Sequence, residues 1–163
     1  MWFIIFAYVL LIYISLPYAR VVLNEIYAVA GIRFLNYLFL FLSLVIFVLF
    51  IYLFRQKGRY LCLALFLSFF ILVGANLFLK FPEERIHFIE YALLGSFVFF
   101  ACKNTSFFEK YVIFFSMILV FIFGALEEII QYFLPNRVGD VRDVVMNFVG
   151  GIWGVLLAKF YSS

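Results

Sequence analysis

Residues Phe34–Phe54 read FLNYLFLFLSLVIFVLFIYLF, an apolar run without a single charged residue. A helix of about 20 residues bridges the roughly 30 Å hydrocarbon core of a bilayer, and this run has that length. The rest of the chain has the same character. Of its 163 residues, 69% are hydrophobic, 24% aromatic and only 13% charged, with a mean hydropathy of +1.20. A soluble domain is about one quarter charged. A globule of the present composition could not cover its surface with polar groups, and disordered chains are polar and poor in aromatics. The composition therefore predicts an all-α polytopic bundle of transmembrane helices, because a helix satisfies its own backbone polar groups within one segment.

Outward from Phe34–Phe54, charged or turn-rich breaks divide the chain into six apolar runs. They are Trp2–Leu16, Phe34–Phe54, Leu61–Leu79, Ile86–Ala101, Tyr111–Leu126 and Val144–Tyr161. These predict about six spans, five if the first lies flat, in a single membrane domain over 1–163. The first run has no basic leader and no small-x-small site, so it reads as a retained helix. Pro17 and Arg20 are expected to close it, with Val21–Arg33 lying along the interface on Val21, Val22, Ile26 and Val29. Arg55, Lys57 and Arg59 share a loop without an acid, which the positive-inside rule places in the cytoplasm. Both termini, the Lys103–Lys110 loop and Lys159 follow them there. Cys62 and Cys102 then lie near the reducing face and read as small apolar packers. The net charge is only +3 and the basic residues form no stripe, which argues against a nucleic-acid partner. The 26 Phe and 11 Tyr suit lipid-facing surface and interfacial belts.

The polar residues are unevenly spread. The fourth run opens with Glu83-Glu84-Arg85-Ile86-His87-Phe88-Ile89-Glu90-Tyr91. The fifth closes with Glu127-Glu128-Ile129-Ile130-Gln131-Tyr132, and the next loop carries Pro135, Asn136, Arg137, Asp140 and Arg142. The sixth begins with Asp143 and sets Asn147 one turn inside. Because the chain reverses at each span, these segments share one membrane face, extracytoplasmic in the orientation above. His87 and Tyr91 fall on one helical face with Glu90 beside them, and Glu127 stacks on Gln131. Gly150 and Gly154 form a GxxxG pair that admits a close neighbour, which places the sixth helix at the centre. Carboxylates in an apolar span are costly unless paired, protonated or wet. An ion-pair lock, with Arg137 and Arg142 neutralising the acids, answers that cost. The richness of the cluster favours a functional pocket over a lock alone.

These pieces resemble the VanZ-like family of small bacterial membrane proteins. The resemblance rests on Glu84-x-x-His87-x-x-x-Tyr91-x-x-Leu94-Gly95, Glu127-Glu128-x-x-Gln131, Pro135-Asn136-Arg137 and Asp143-x-x-x-Asn147-x-x-Gly150-x-x-x-Gly154, spread over Lys80 to Phe160. Glu127 stands where the family commonly has Asp, and Asn136 where Gly is common; Asn still suits a turn needing positive φ. The resemblance implies a bacterial inner- or plasma-membrane protein, with a link to teicoplanin resistance through the family's named member. It does not supply a reaction.

The residues themselves narrow the chemistry. A HExxH zinc site needs two His on one face, and the chain has one His; a phosphatidic-acid phosphatase site likewise needs two. The Glu127-Glu128 pair of a CAAX-type protease would carry an Arg where Tyr132 stands. Ser96 and Ser116 sit in apolar runs and are expected to bond a carbonyl one turn back. What remains is His87 as general acid or base, with Glu128 as its partner. Glu90, Glu128 and Asp143 can otherwise offer oxygen ligands to a divalent cation, although the sequence assigns no cofactor. Arg137 can clamp a phosphate bidentately. Glu84, Glu90, Tyr91, Glu127, Gln131, Arg137, Asp143 and Asn147 are the candidate ligand-binding residues. The expected ligand is a phospholipid or a lipid-linked cell-wall precursor. A lipid-modifying enzyme using His87 and Glu128 is the second expectation, and a non-catalytic scaffold the third.

The orientation has a direct test. In intact cells, an Asn136→Cys variant is expected to react with a membrane-impermeant thiol reagent, whereas labelling only after permeabilisation would invert the topology.

Overall fold

A computed structural model describes residues 1–55, 82–135 and 139–162, with positions 64, 67, 68, 70, 71, 73 and 74 between them. Cys62, most of the run Leu61–Leu79, the loop residues Lys57 and Arg59, and the turn residues Asn136 and Arg137 lie outside the described residues. Helix α1 covers Trp2–Phe54, α2 Pro82–Lys103, α3 Val112–Phe133 and α4 Val141–Ser162, with a short 3-10 turn at Glu109–Tyr111 before α3. No strand occurs among the described residues. By length and composition, Trp2–Gly31, Glu84–Lys103, Glu109–Phe133 and Val141–Ser162 can each cross a membrane, and Arg33–Leu49 is a shorter apolar helix. Phe3, Val29 and Phe133 are among the large apolar side chains left on the outside. Water would penalise so much apolar surface; lipid does not. The chain is an all-α membrane protein.

The first break falls elsewhere than the sequence suggests. Pro17 sits inside α1 and does not end it, so the expected interfacial segment Val21–Arg33 is, as far as Ala30, a continuation of the same helix. In an apolar medium, leaving the helix would strand several backbone groups, whereas one proline forfeits a single donor. The break comes at Gly31, where φ is 75° and ψ 162°. Only glycine reaches that region without strain.

The most extensive helix contact joins α2 to α4. A Cβ on Gly154 would overlap the Ala92 carbonyl, and one on Gly95 would overlap the carbonyl of Gly151. The two backbones therefore touch, as small residues permit in membranes. Phe88 stacks on Trp153 with ring centroids 5.6 Å apart, and the Trp153 indole donates to Ser68 Oγ at 3.3 Å. Ala92 and Leu157 complete this cluster with Ala64. Helix α3 packs against both partners. Ile5 and Val9 of α1 enter a second cluster with Tyr91, Leu94, Val98 and Val120. Trp2 donates to Thr105 Oγ1 at 3.0 Å, so the start of α1 and the loop after α2 share one end of the bundle. Ser96 and Ser116 donate to Ala92 O and Val112 O at 3.1 and 2.7 Å, one turn back as expected. Cys102 is buried in the second cluster.

A Gly154→Leu substitution should lower stability in detergent by about 1–3 kcal/mol, the usual range for overpacking. Val149→Leu on the exposed face of the same helix should stay within roughly 0.5 kcal/mol. Thermal melts of the two variants check the difference.

Candidate functional site

Glu127 lies nearly two turns from the C-terminus of α3, on the stripe that also carries Gly124 and Gln131. It is 0% exposed. Gly124 lets neighbours come close: a Cβ there would meet Asn147 Cβ at 3.3 Å and Tyr91 Cε1 at 3.4 Å. A carboxylate taken out of water costs several kcal/mol unless it is paired and hydrogen-bonded. Here each neighbouring helix supplies a polar partner. Oε1 accepts from Gln131 Nε2 at 3.1 Å and lies 3.3 Å from His87 Nδ1. Oε2 accepts from Asn147 Nδ2 at 3.4 Å. The buried Tyr91 ring also faces this carboxyl. An imidazole from α2 and amides from α3 and α4 thus converge on one acid.

His87 serves two acids. Its Nδ1 is 3.2 Å from Glu90 Oε2, one turn along α2, as well as 3.3 Å from Glu127. When protonated, the imidazole compensates both carboxylates in part, and the pair fixes the ring's orientation. Glu90 is only half-buried, and its backbone carbonyl accepts from the Tyr8 hydroxyl of α1 at 3.3 Å. Tyr13 reaches the Phe123 carbonyl at 2.8 Å. The first helix thereby braces both sides of the cluster.

A second layer holds the loop into α4. Glu128 Oε2 accepts the Asp140 N–H at 3.1 Å and Oε1 accepts from Gln131 at 3.4 Å. Asp140 Oδ1 in turn accepts the Arg142 N–H at 2.8 Å, an N-cap for α4. At the rim, Arg142 is half exposed and approaches Glu84 Oε1 at 3.3 Å. Asp143 is partly buried in the first turn of α4. Arg85 donates to Asn36 Oδ1 at 2.9 Å and lies over the Phe39 ring at 5.2 Å, tying the segment after Gly31 to α2.

Of the residues singled out from the sequence, His87, Glu90, Tyr91, Glu127, Gln131 and Asn147 form one contiguous network. Glu84 belongs to the rim with Arg142. Glu128 turns to the loop, so the carboxylates on His87 are Glu127 and Glu90. The expected His87–Glu128 pairing gives way because Glu128 sits 100° further round α3 than Glu127. Among the described residues, no group of three or more His, Cys, Asp or Glu is arranged to hold a metal ion, so Glu90, Glu128 and Asp143 do not converge on a cation. Arg137 lies outside the described residues. Tyr8, Tyr13 and Asn36 join the site without a motif. Only Asn36 carried a signal, as a lone amide at the edge of an apolar run.

A family model described as VanZ/LLP1 matches residues 1–162, beyond the motif-bearing half and across α1. No curated protein and no solved structure matches the chain.

The His87–Glu127 contact should show in a double-mutant cycle. His87→Ala leaves a buried acid uncompensated and is expected to destabilise by about 3–5 kcal/mol. Adding Glu127→Gln should recover part of that, giving a coupling of about 0.5–3 kcal/mol. Strict additivity in detergent melts would deny the contact.

Proposed function

The chain belongs to the VanZ/LLP1 family, and on that premise we propose that it is a multi-pass protein of the bacterial inner or plasma membrane that engages a lipid headgroup through the Glu127 site. The site faces the extracytoplasmic side in this reading, with both termini in the cytoplasm. Its ligand is a phospholipid or a lipid-linked cell-envelope intermediate. One observation carries the proposal: the Asn147 side chain, 1% exposed beside Glu127, has a carbonyl oxygen with no hydrogen-bond partner among the described residues. Buried polar atoms are nearly always satisfied, and a helix lock has no use for an idle acceptor. A ligand hydroxyl at this position would supply its donor. Half-exposed Arg142 stands at the rim, where a guanidinium fork suits phosphate oxygens, and Arg137 comes five residues before it in the sequence. The link between the family's named member and teicoplanin resistance supports a lipid-linked wall precursor, the kind of molecule on which such drugs act.

A second reading is a lipid-modifying enzyme, favoured by the placement of His87 Nδ1 against two carboxylates. Carboxylates so placed hold an imidazole in one orientation and stabilise its charged form. His87 is then the acid–base group acting through Nε2, and Glu127 its positioning residue.

Native mass spectrometry of protein purified in mild detergent tests both. Wild type should retain a phosphate-bearing lipid, and Arg142→Ala should retain several-fold less. Accumulation of that lipid on His87→Gln, with folding unchanged, would make the enzyme reading the better one. No selective retention on any form, with cluster variants losing only thermal stability, would leave a scaffold whose ion pairs lock the helices.

A further inference from the structure

The opposite end of the bundle carries a second polar feature that the reading above does not use. Helices α2 and α4 both finish there, with Lys103 and Lys159 in their last turns, and Lys110 lies in the turn that leads into α3. The three lysines line a cavity of about 760 Å³. Its floor and wall are apolar, formed by Phe99, Ile113 and Met117, and Glu109 is the one acid among the described residues that line it. The size falls in the range of small-ligand pockets, roughly 300–1,000 Å³.

The lysines are held in place by the fold. Lys103 donates to the Ser162 carbonyl at 3.4 Å, which ties the end of α2 to the end of α4. The Lys110 ammonium sits over the Tyr111 ring, 5.1 Å from its centroid, a cation–π arrangement. Long lysine stems lie along apolar surface while their heads stay wet, so each ammonium marks the level where hydrocarbon meets headgroups. The first turn of α3 also opens on this cavity, and the positive end of its dipole favours the same sign of ligand charge.

We propose that this cavity binds the phosphate headgroup of an anionic phospholipid in the leaflet at that end, with the first acyl carbons against Phe99, Ile113 and Met117. Among the described lining residues, three cations against one acid set the sign of the charge. The apolar wall selects a lipid over a soluble anion, because inorganic phosphate has nothing to bury there. Basic pockets between membrane helices act in this way. The site is separate from Glu127, which lies at the far end of α3.

The full chain in mild detergent is offered an equal mixture of phosphatidylglycerol and phosphatidylcholine, and bound lipid is read by native mass spectrometry. Wild type should prefer phosphatidylglycerol by about ten-fold or more, each lysine contributing about five-fold at most. The triple variant Lys103→Gln/Lys110→Gln/Lys159→Gln should bring the ratio close to one, and the corresponding triple Arg variant should keep the preference. If the triple Gln variant does not fold, Lys110→Gln alone should still lose about two- to five-fold. Val149→Leu, on the exposed face of α4, should leave the preference unchanged. The proposal fails if the Gln variants keep the preference, if wild type has none, or if millimolar inorganic phosphate displaces the lipid.

Discussion

Everything at the polar end of this bundle follows from one constraint: Glu127 sits inside an apolar helix, where water cannot solvate it. Gln131, one turn along, supplies a donor from the same helix, but one amide cannot satisfy two carboxylate oxygens. The remaining partners, His87 and Asn147, come from α2 and α4. Meeting the needs of one acid therefore sets how far α2 and α4 may slide against α3. The close backbone contacts at Gly95, Gly151 and Gly154 make this possible, since larger residues would hold α2 and α4 apart and draw His87 and Asn147 out of reach.

Charge is layered along the bundle. Acids gather where α2 and α4 begin, and lysines where they end, each sign suited to the local end of the helix dipole. Helix α3 runs the other way, so Glu127 and Glu128 stand at its negative end, where the dipole opposes them. The convergent donors and the Asp140 N–H offset that opposition. A carboxylate placed against both its solvent and its helix dipole is retained for function or for specificity of packing more readily than for stability.

The role of α1 is to close the structure. Its tyrosines reach backbone carbonyls of α2 and α3, and beyond Gly31 its Asn36 meets Arg85. A carbonyl that accepts a phenol is still bonded within its own helix, so these contacts orient α1 without disturbing its neighbours.

Composition alone settled the solvent and the helical class, because neither a charge-poor surface nor an open strand survives in water or lipid respectively. The alternation of runs and breaks put His87, Glu127 and Asn147 at one end, since successive spans reverse direction. The 3.6-residue period set Glu127 over Gln131 and flagged the small-residue stripe of α4. Periodicity acts only within a helix, however. It cannot say how two helices are rotated and shifted against each other, so the choice of Glu127 over Glu128 as the acid on His87 belongs to the packing. So do the passage of α1 through Pro17, where lipid leaves the backbone no better partner than itself, and the meeting of Lys103, Lys110 and Lys159 around one cavity. Residues far apart in sequence become neighbours only when close-packed backbones decide the register.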